Sequence, residues 1–168
     1  MTHFETLPAA LEVDVIDGLE QALKRLQERD AALLEAQANE RSITARLGCH
    51  LQAVFPDWDV DCEFNCWRGP LQSRGHIVVS TTSATTEAPT IFPDLLIHRR
   101  GSGETLAVIE VLKSDAQSAR HRERRKLQHC LKRLGCPHAA MIEIGVGERR
   151  GRHHLEMLAT PLHDEQSL

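Results

Sequence analysis

The sequence predicts an α/β domain in which a mixed sheet is flanked by helices. Three observations predict it: helical spacing of apolar residues in the first third of the chain, short apolar runs of strand length after it, and a second helical pattern before the last of these runs. The chain has 168 residues, of which 41% are hydrophobic and 26% are charged. This length and composition are sufficient for one domain with a buried core.

The first 38 residues are predicted to form an acidic helix that precedes the main domain. Apolar residues recur at helical spacing from Leu11 to about Phe55, with charged residues between them. One very long helix or two helices broken near Asn39 would fit, and the break is favoured because Asn and Ser compete for backbone hydrogen bonds inside a helix. The first helix either packs against its own domain, which is the preferred interpretation, or mediates a homodimer.

Predicted strands follow Pro56, which ends the helical pattern. Apolar and polar residues alternate over 58–65, as in a half-buried strand. Residues 66–90, which include a Ser/Thr-rich run, are predicted to form a surface loop with at most a short strand. Two further strands are predicted over 91–98 and 106–112, joined by a glycine-containing turn.

The C-terminal part begins with a predicted helix over 116–134. Gly135 directly after it is a typical helix end, because glycine adopts the left-handed conformation that closes many helices. A strand over 139–144 and an edge strand over 153–158 follow. The expected organisation is an acidic helix over 1–38, a main domain over 39–160 and a flexible tail over 161–168.

Two acids are the candidate functional residues. Glu110 interrupts a run, 106–112, that is otherwise apolar on both faces and therefore predicts a central strand. A buried carboxylate is costly unless it is paired, protonated or bound to a metal. Asp94 begins the preceding strand, and strand pairing would bring it across from Glu110. The structural alternative is an ion pair of Glu110 with His98 or Arg99.

The segments Phe92-Pro93-Asp94 and Val108-Ile109-Glu110-Val111 resemble the acidic motifs of the PD-(D/E)xK, or restriction-endonuclease-like, nuclease superfamily. The similarity to an uncharacterised bacterial group of that superfamily extends from about Asn39 to Gly147. It implies a core of order αβββαβ, with Asp94 and Glu110 binding Mg²⁺ or Mn²⁺ for the hydrolysis of DNA. It also implies that Glu40 completes the site, whereas a solvated acid or a partner in the Asn39 helix cap is the alternative.

Leu112 stands where this superfamily carries its catalytic lysine. Residues 110 and 112 share a face because strand side chains alternate, whereas Lys113 points to the other face and would serve only if a β-bulge redirected it. Lys126 on the following helix is the other candidate for the missing cation. Two hypotheses remain: a metal-dependent nuclease that is weakened or inactive, and a catalytically dead module that binds nucleic acid or a protein.

Basic side chains are concentrated on the predicted helix over 116–134, although the net charge of the chain is −4. Candidate contacts to a DNA backbone, with RNA as an alternative, are Arg120, Arg122, Arg124 and Arg125. A charged face turned to solvent explains the same pattern. Because no apolar stretch has the length of a membrane span and the N-terminus lacks the features of a signal peptide, we expect a cytoplasmic protein without membrane contact.

Overall fold

A computed structural model of the chain describes residues 14–64, 77–78 and 90–158. It confirms the α/β class, because a five-stranded mixed sheet lies between two helical layers. The α-helices are α1 (Val15–Arg29), α2 (Ala31–Glu35), α3 (Glu40–Val54) and α4 (Arg120–Leu134). The strands are β1 (Asp59–Cys62), β2 (Ile77–Val78), β3 (Thr90–Ile91), β4 (Leu95–Arg99), β5 (Glu104–Lys113), β6 (His138–Ile144) and β7 (His153–Leu158).

The sheet has the strand order β1-β4-β5-β6-β7, with β5 at its centre. Strand β5 pairs antiparallel with β4 and parallel with β6, while β1 and β7 form antiparallel edges. The short strands β2 and β3 form a separate two-stranded antiparallel sheet. From α3 onward the principal elements therefore follow the predicted order of helix, strand, strand, strand, helix and strand.

Local sequence signals set the ends of the helices. The Asp14 carboxylate accepts a hydrogen bond from the Ile16 backbone N–H at 2.8 Å and so caps the start of α1. The predicted break near Asn39 is confirmed, because the Asn39 side chain accepts a hydrogen bond from the Ser42 N–H at 2.8 Å and starts α3. The predicted end of α4 is also confirmed, since Gly135 is left-handed with φ of 59°.

Two hydrophobic cores cover the two faces of the sheet. Ile109 and Val111 of β5 pack towards α1 and α3, whereas Val108 and Leu112 pack towards α4. Strand β5 is therefore buried on both faces, as its apolar sequence predicted. The alternation places Glu110 on the face covered by α4.

Helix α1 belongs to the core of the same domain. Leu19, Leu23 and Leu26 are fully buried in the cluster that also contains the α3 and sheet residues. A Cβ atom at Gly18 would lie 2.2 Å from the Phe55 ring, so the close approach of α1 to the end of α3 requires glycine. The apolar face of α1 is thus covered within the chain, in accord with the preferred interpretation. Its use as a dimer contact stays a prediction.

Parts of three sequence predictions fall on residues outside the described ranges. They are residues 1–13 of the acidic helix predicted over 1–38, the Ser/Thr-rich part of the loop predicted over 66–90, and the tail predicted over 161–168. Within the described ranges, no helix combines the length and the apolar character that crossing a membrane requires.

We expect Leu19→Ala to lower the free energy of unfolding by about 2–5 kcal/mol, because it leaves a cavity in the core. Ile16 of the same helix is 47% exposed, so Ile16→Ala should change this free energy by less than about 1 kcal/mol. Urea unfolding of both variants measures the difference. Equally small effects would contradict the inclusion of α1 in the core.

Candidate functional site

Glu110 forms a buried ion pair with a residue of α4. Its side chain is fully buried in β5, and Lys126 Nζ donates to Glu110 Oε2 over 2.8 Å. The Lys126 side chain is itself only 17% exposed. The alternative partners His98 and Arg99 bind other acids instead. The energetic cost of burying this carboxylate, which the sequence predicted, is therefore offset by the charge of Lys126 on the following helix.

Asp94 lies directly before β4, next to Glu110. The strand register pairs Leu95 with Ile109, which places Asp94 beside the following residue of β5. Asp94 Oδ2 accepts a hydrogen bond from the Val111 N–H at 2.8 Å, so the backbone of β5 orients this carboxylate. The structure thus brings together the two acids that the sequence predicted to converge.

The acid pair has an unbalanced negative charge. Burial, reinforced by the negative charge of Asp94, raises the pKa of Glu110 well above its ordinary value, although Lys126 opposes the shift. Lys126 occupies one oxygen of Glu110, and the other, Oε1, is buried with no hydrogen-bond partner in the described part of the chain. A proton or a cation next to Oε1 would remove this deficit.

Glu40 reaches the same end of the sheet from α3. Partial burial, and then the charge of Asp94, raise the pKa of Glu40, while a hydrogen bond from the Lys113 N–H opposes the rise. Because Asn39 caps α3 with its own side chain, the carboxylate of Glu40 does not have this task. The predicted auxiliary acid is thus an electrostatic neighbour of Asp94.

A cleft of about 450 Å³ opens beside Asp94 and Glu40. Across it, Arg41 Nε lies 3.4 Å from Glu63 Oε1, and both side chains are exposed. Glu63 has a left-handed backbone with φ of 46°, and its N–H donates to the Asp94 carbonyl at 3.1 Å. The cleft gives solvent and small ligands access to Asp94 and Glu40, whereas Glu110 is not among its lining residues. Its lining residues are Glu40, Arg41, Thr44, Ala45, Cys62, Glu63 and Asp94.

Leu112, at the position where the resemblance implies a lysine, has a packing role. It is 4% exposed and belongs to the same core cluster as Leu127 and Leu131 of α4. This apolar contact holds α4 against β5 directly beside Lys126. Lys113 lies on the opposite face, and its pairing with β6 is continuous, so no bulge redirects it towards Glu110. Of the two lysines considered from the sequence, Lys126 is the one that contacts Glu110.

Glu123 is a residue of the site that the sequence analysis missed. It is 8% exposed, and its carboxylate lies 3.7 Å from Lys126 Nζ. Its charge also contributes to the raised pKa of Glu40, after burial and Asp94. The three-residue spacing between Glu123 and Lys126 was the available signal, because residues three apart share a helix face.

Two of the four arginines predicted to contact DNA are engaged by acids of the sheet. Arg120 lies 3.5 Å from both Glu143 and Glu156, and Arg124 lies 2.5 Å from Glu156. These side chains are about one third to one half exposed. Much of their charge is therefore used to hold α4 against β6 and β7.

Arg122 and Arg125 are both exposed. Arg122 Nε donates to Glu123 Oε1 at 2.8 Å, and its side chain is 79% exposed. The hydrogen bond to Glu123, and more weakly the charges of Glu40 and Glu110, raise the pKa of Arg122. Of the four arginines, Arg122 is thus an electrostatic neighbour of the acid pair while remaining accessible to a ligand.

Asp94 and Glu110 are the residues of the site whose oxygens would hold a divalent cation. Among the described residues there is no group of three or more His, Cys, Asp or Glu side chains arranged to bind a metal. Mg²⁺, however, commonly takes one or two carboxylates and completes its octahedral shell with waters and substrate phosphates. Asp94 and the unpartnered oxygen of Glu110 supply such a pair.

Comparison of the chain with protein-family models, curated proteins and solved structures finds no match.

We expect Lys126→Met to lower the free energy of unfolding by about 3 kcal/mol near pH 8, because a buried charge loses its partner. Since Glu110 has a folded-state pKa above its ordinary value of 4.5, stability is lost as pH rises from that value towards the raised one. Removal of Lys126 raises this pKa further, so the variant should lose more stability than the wild type between about pH 5 and about pH 8.

Chemical unfolding at the two pH values measures this difference. Lys132→Met is the matched control, because Lys132 is an exposed lysine of the same helix. A Lys126→Met loss that is equal at both pH values would contradict the coupling to Glu110.

Proposed function

We propose that the chain is a divalent-metal-dependent DNA nuclease of the PD-(D/E)xK type whose lysine is supplied by α4. The contact between Lys126 Nζ and Glu110 Oε2, at 2.8 Å, carries the proposal. It provides an ammonium group beside the second acid, where Leu112 provides none. The sequence motif alone would leave this position without a cation.

The arrangement of elements supports the proposed restriction-endonuclease-like core. Glu110 lies on β5, and Asp94 lies directly before β4, which is the antiparallel neighbour of β5. A helix, α3, precedes these strands and contributes Glu40, and α4 follows them and contributes Lys126. The chemistry of the site, more than the fold, supports the activity, because one fold serves many functions.

In this proposal, Asp94 and Glu110 would hold Mg²⁺ or Mn²⁺. When bound, the cation would lower the pKa of an attacking water and neutralise charge on the phosphate. The Val111 N–H fixes the orientation of Asp94. Glu40 provides a third carboxylate at the cleft wall, where it would accept a proton from the water.

Lys126 would stabilise the negative charge that develops on the phosphate. Burial alone would lower the pKa of Lys126, but the charges of Glu110, Asp94 and Glu123 outweigh it and raise the pKa. The amine therefore stays protonated near neutral pH. A fixed positive charge in a partly buried site stabilises a transition state without reorganisation of the surroundings.

A catalytically inactive binding module is the second candidate. The same ion pair favours it, since Lys126 already balances one oxygen of Glu110 without any cation. In this role the surface around Asp94 and Glu110 would bind nucleic acid or a protein without cleaving it. The two candidates differ in whether the acid pair binds a divalent cation and whether DNA is cut. A cytoplasmic location, RNA as a substrate and a homodimer remain predictions from the sequence.

We expect Mn²⁺ to raise the melting temperature of the wild-type protein, because a ligand that binds only the folded state stabilises it, by about 2.7 kcal/mol at 100 times its Kd. Asp94→Asn should abolish the shift, since the amide keeps an acceptor for the Val111 N–H but loses the charge. Asp115→Asn, at an exposed acid, is the control. If Mn²⁺ leaves the melting temperature of the wild-type protein unchanged, the proposed metal site is wrong.

We expect the wild type to cleave plasmid DNA in Mg²⁺ or Mn²⁺, and Lys126→Met to be slower by about 10²–10³-fold, as for other groups that act on transition-state charge. The double variant Lys126→Met/Leu112→Lys returns an amine to the same strand face and should regain part of the rate. Lys132→Met should cleave at the wild-type rate. Cleavage by Leu112→Lys but not by the wild type would favour the inactive module.

A further inference from the structure

The connection between β6 and β7 lies at the same end of the sheet as the acid pair. Strands β5 and β6 are parallel, so their carboxyl ends meet, with Lys113 opposite Ile144. The Ser114 N–H donates to the Ile144 carbonyl at 2.9 Å. Arg149 Nη1 donates to the Ser114 carbonyl at 3.1 Å. The connection is therefore bonded to the segment that directly follows the strand carrying Glu110.

This connection has a fixed backbone. The Gly145 N–H donates to the Arg152 carbonyl at 2.8 Å, and the Arg152 N–H donates to the Arg149 carbonyl at 3.2 Å. A Cβ atom at Gly145 would lie 2.0 Å from the Arg149 carbonyl oxygen, so the turn closes tightly on glycine. Gly147 and Gly151 adopt positive φ values of 59° and 83°. The backbone of the turn is thus organised before any ligand binds.

Three arginines project from this turn; we call Arg149, Arg150 and Arg152 the arginine turn. All three are exposed. Arg150 Nη1 lies 3.8 Å from Glu35, but both side chains are about half exposed or more, so this ion pair is weak in water. The Arg152 side chain makes no hydrogen bond or ion pair with any residue of the described chain. Glu148 is the one acid among residues 145–152, so the turn retains a net positive charge for an external anion.

We infer that the arginine turn binds the backbone phosphates of duplex DNA beyond the bond that the acid pair would cut. The inference depends on the proposed function for the identity of the ligand. Neighbouring strands are about 4.8 Å apart, so β7 lies about 10 Å from β5, or about three base pairs of duplex at 3.4 Å each. A duplex whose phosphate lies at the acid pair and whose axis follows this end of the sheet from β5 to β7 would therefore continue over the turn.

The choice of a duplex follows from the scarcity of aromatic residues. Proteins that bind single strands stack the bases on aromatic side chains, and the chain has 4% aromatic residues and no Tyr. Trp58 stacks against Arg99, whose guanidinium lies 4.7 Å from the ring centroid. Both residues are at the opposite end of the sheet, because Arg99 pairs with the first residue of β5. Charge, rather than stacking, is what this surface offers a nucleic acid.

The test is the salt dependence of DNA binding, measured by fluorescence anisotropy of a short fluorescein-labelled duplex in Ca²⁺, with a gel to verify that the duplex stays intact. The variant is Arg150→Gln/Arg152→Gln, and the matched control is Arg99→Gln/Lys132→Gln. Each removes two positive charges and one loose ion pair with a glutamate. Arg149 is left unchanged because it holds the turn to Ser114. Circular dichroism verifies that both variants are folded.

The slope of log K against log salt is negative, and we expect it to become less steep by about 2 in the arginine-turn variant, at about 0.9 for each lost phosphate contact, and to be unchanged in the control. Equal slopes for the two variants, or no binding by the wild type, would overturn the inference. Tighter binding of single-stranded DNA or of duplex RNA would overturn the assignment to duplex DNA.

The outcome is separable from that of the nuclease proposal. If DNA binding depends on the arginine turn but the protein does not cleave DNA in Mg²⁺ or Mn²⁺, the inference is supported and the nuclease proposal is contradicted. If cleavage requires Asp94 but the salt slope is the same with and without the arginines of the turn, the nuclease proposal is supported and the inference is contradicted.

Discussion

The buried carboxylate of Glu110 is the constraint on which the rest of the site depends. A charge at the centre of a strand covered on both faces must be balanced nearby, and Lys126 is the group that balances it. This requires α4 to lie over β5 with one particular face inward. Leu112 and Leu127 create that placement by apolar contact. The leucine at the expected lysine position and the lysine on the helix are therefore two parts of one arrangement.

One lysine does not balance two neighbouring carboxylates. Asp94 is held by a backbone N–H of the same strand, so it cannot turn away from Glu110, and its charge raises the pKa of that residue. A proton or a cation beside Glu110 would relieve this repulsion. If the proposed cation binds, it therefore has to displace a proton from the same carboxylate.

The sequence predicted the parts of this arrangement that depend on local signals. Asn39 and Gly135 mark helix ends because their effects operate within a few residues, and the apolar run around Glu110 identifies a central strand. The choice between Lys113 and Lys126 was left open, because it depends on how α4 is rotated about its axis. That rotation is set by contacts between distant segments. Glu123 was missed for the same reason, since its burial follows from the docking of α4.

A cluster of basic residues in the sequence does not always give a positively charged surface in the folded protein. The cluster of basic residues on α4 predicted a cationic face there, but Glu143 and Glu156 of β6 and β7 engage Arg120 and Arg124. These partners are distant in sequence, so only the fold reveals the neutralisation. The arginine turn is a shorter basic segment than α4 and is less prominent in the sequence. It contains few acids, however, and the ion pair of Arg150 with Glu35 is exposed. The β6–β7 connection therefore offers exposed arginines to a phosphate, and it lies at the end of the sheet where Asp94 and Glu110 meet.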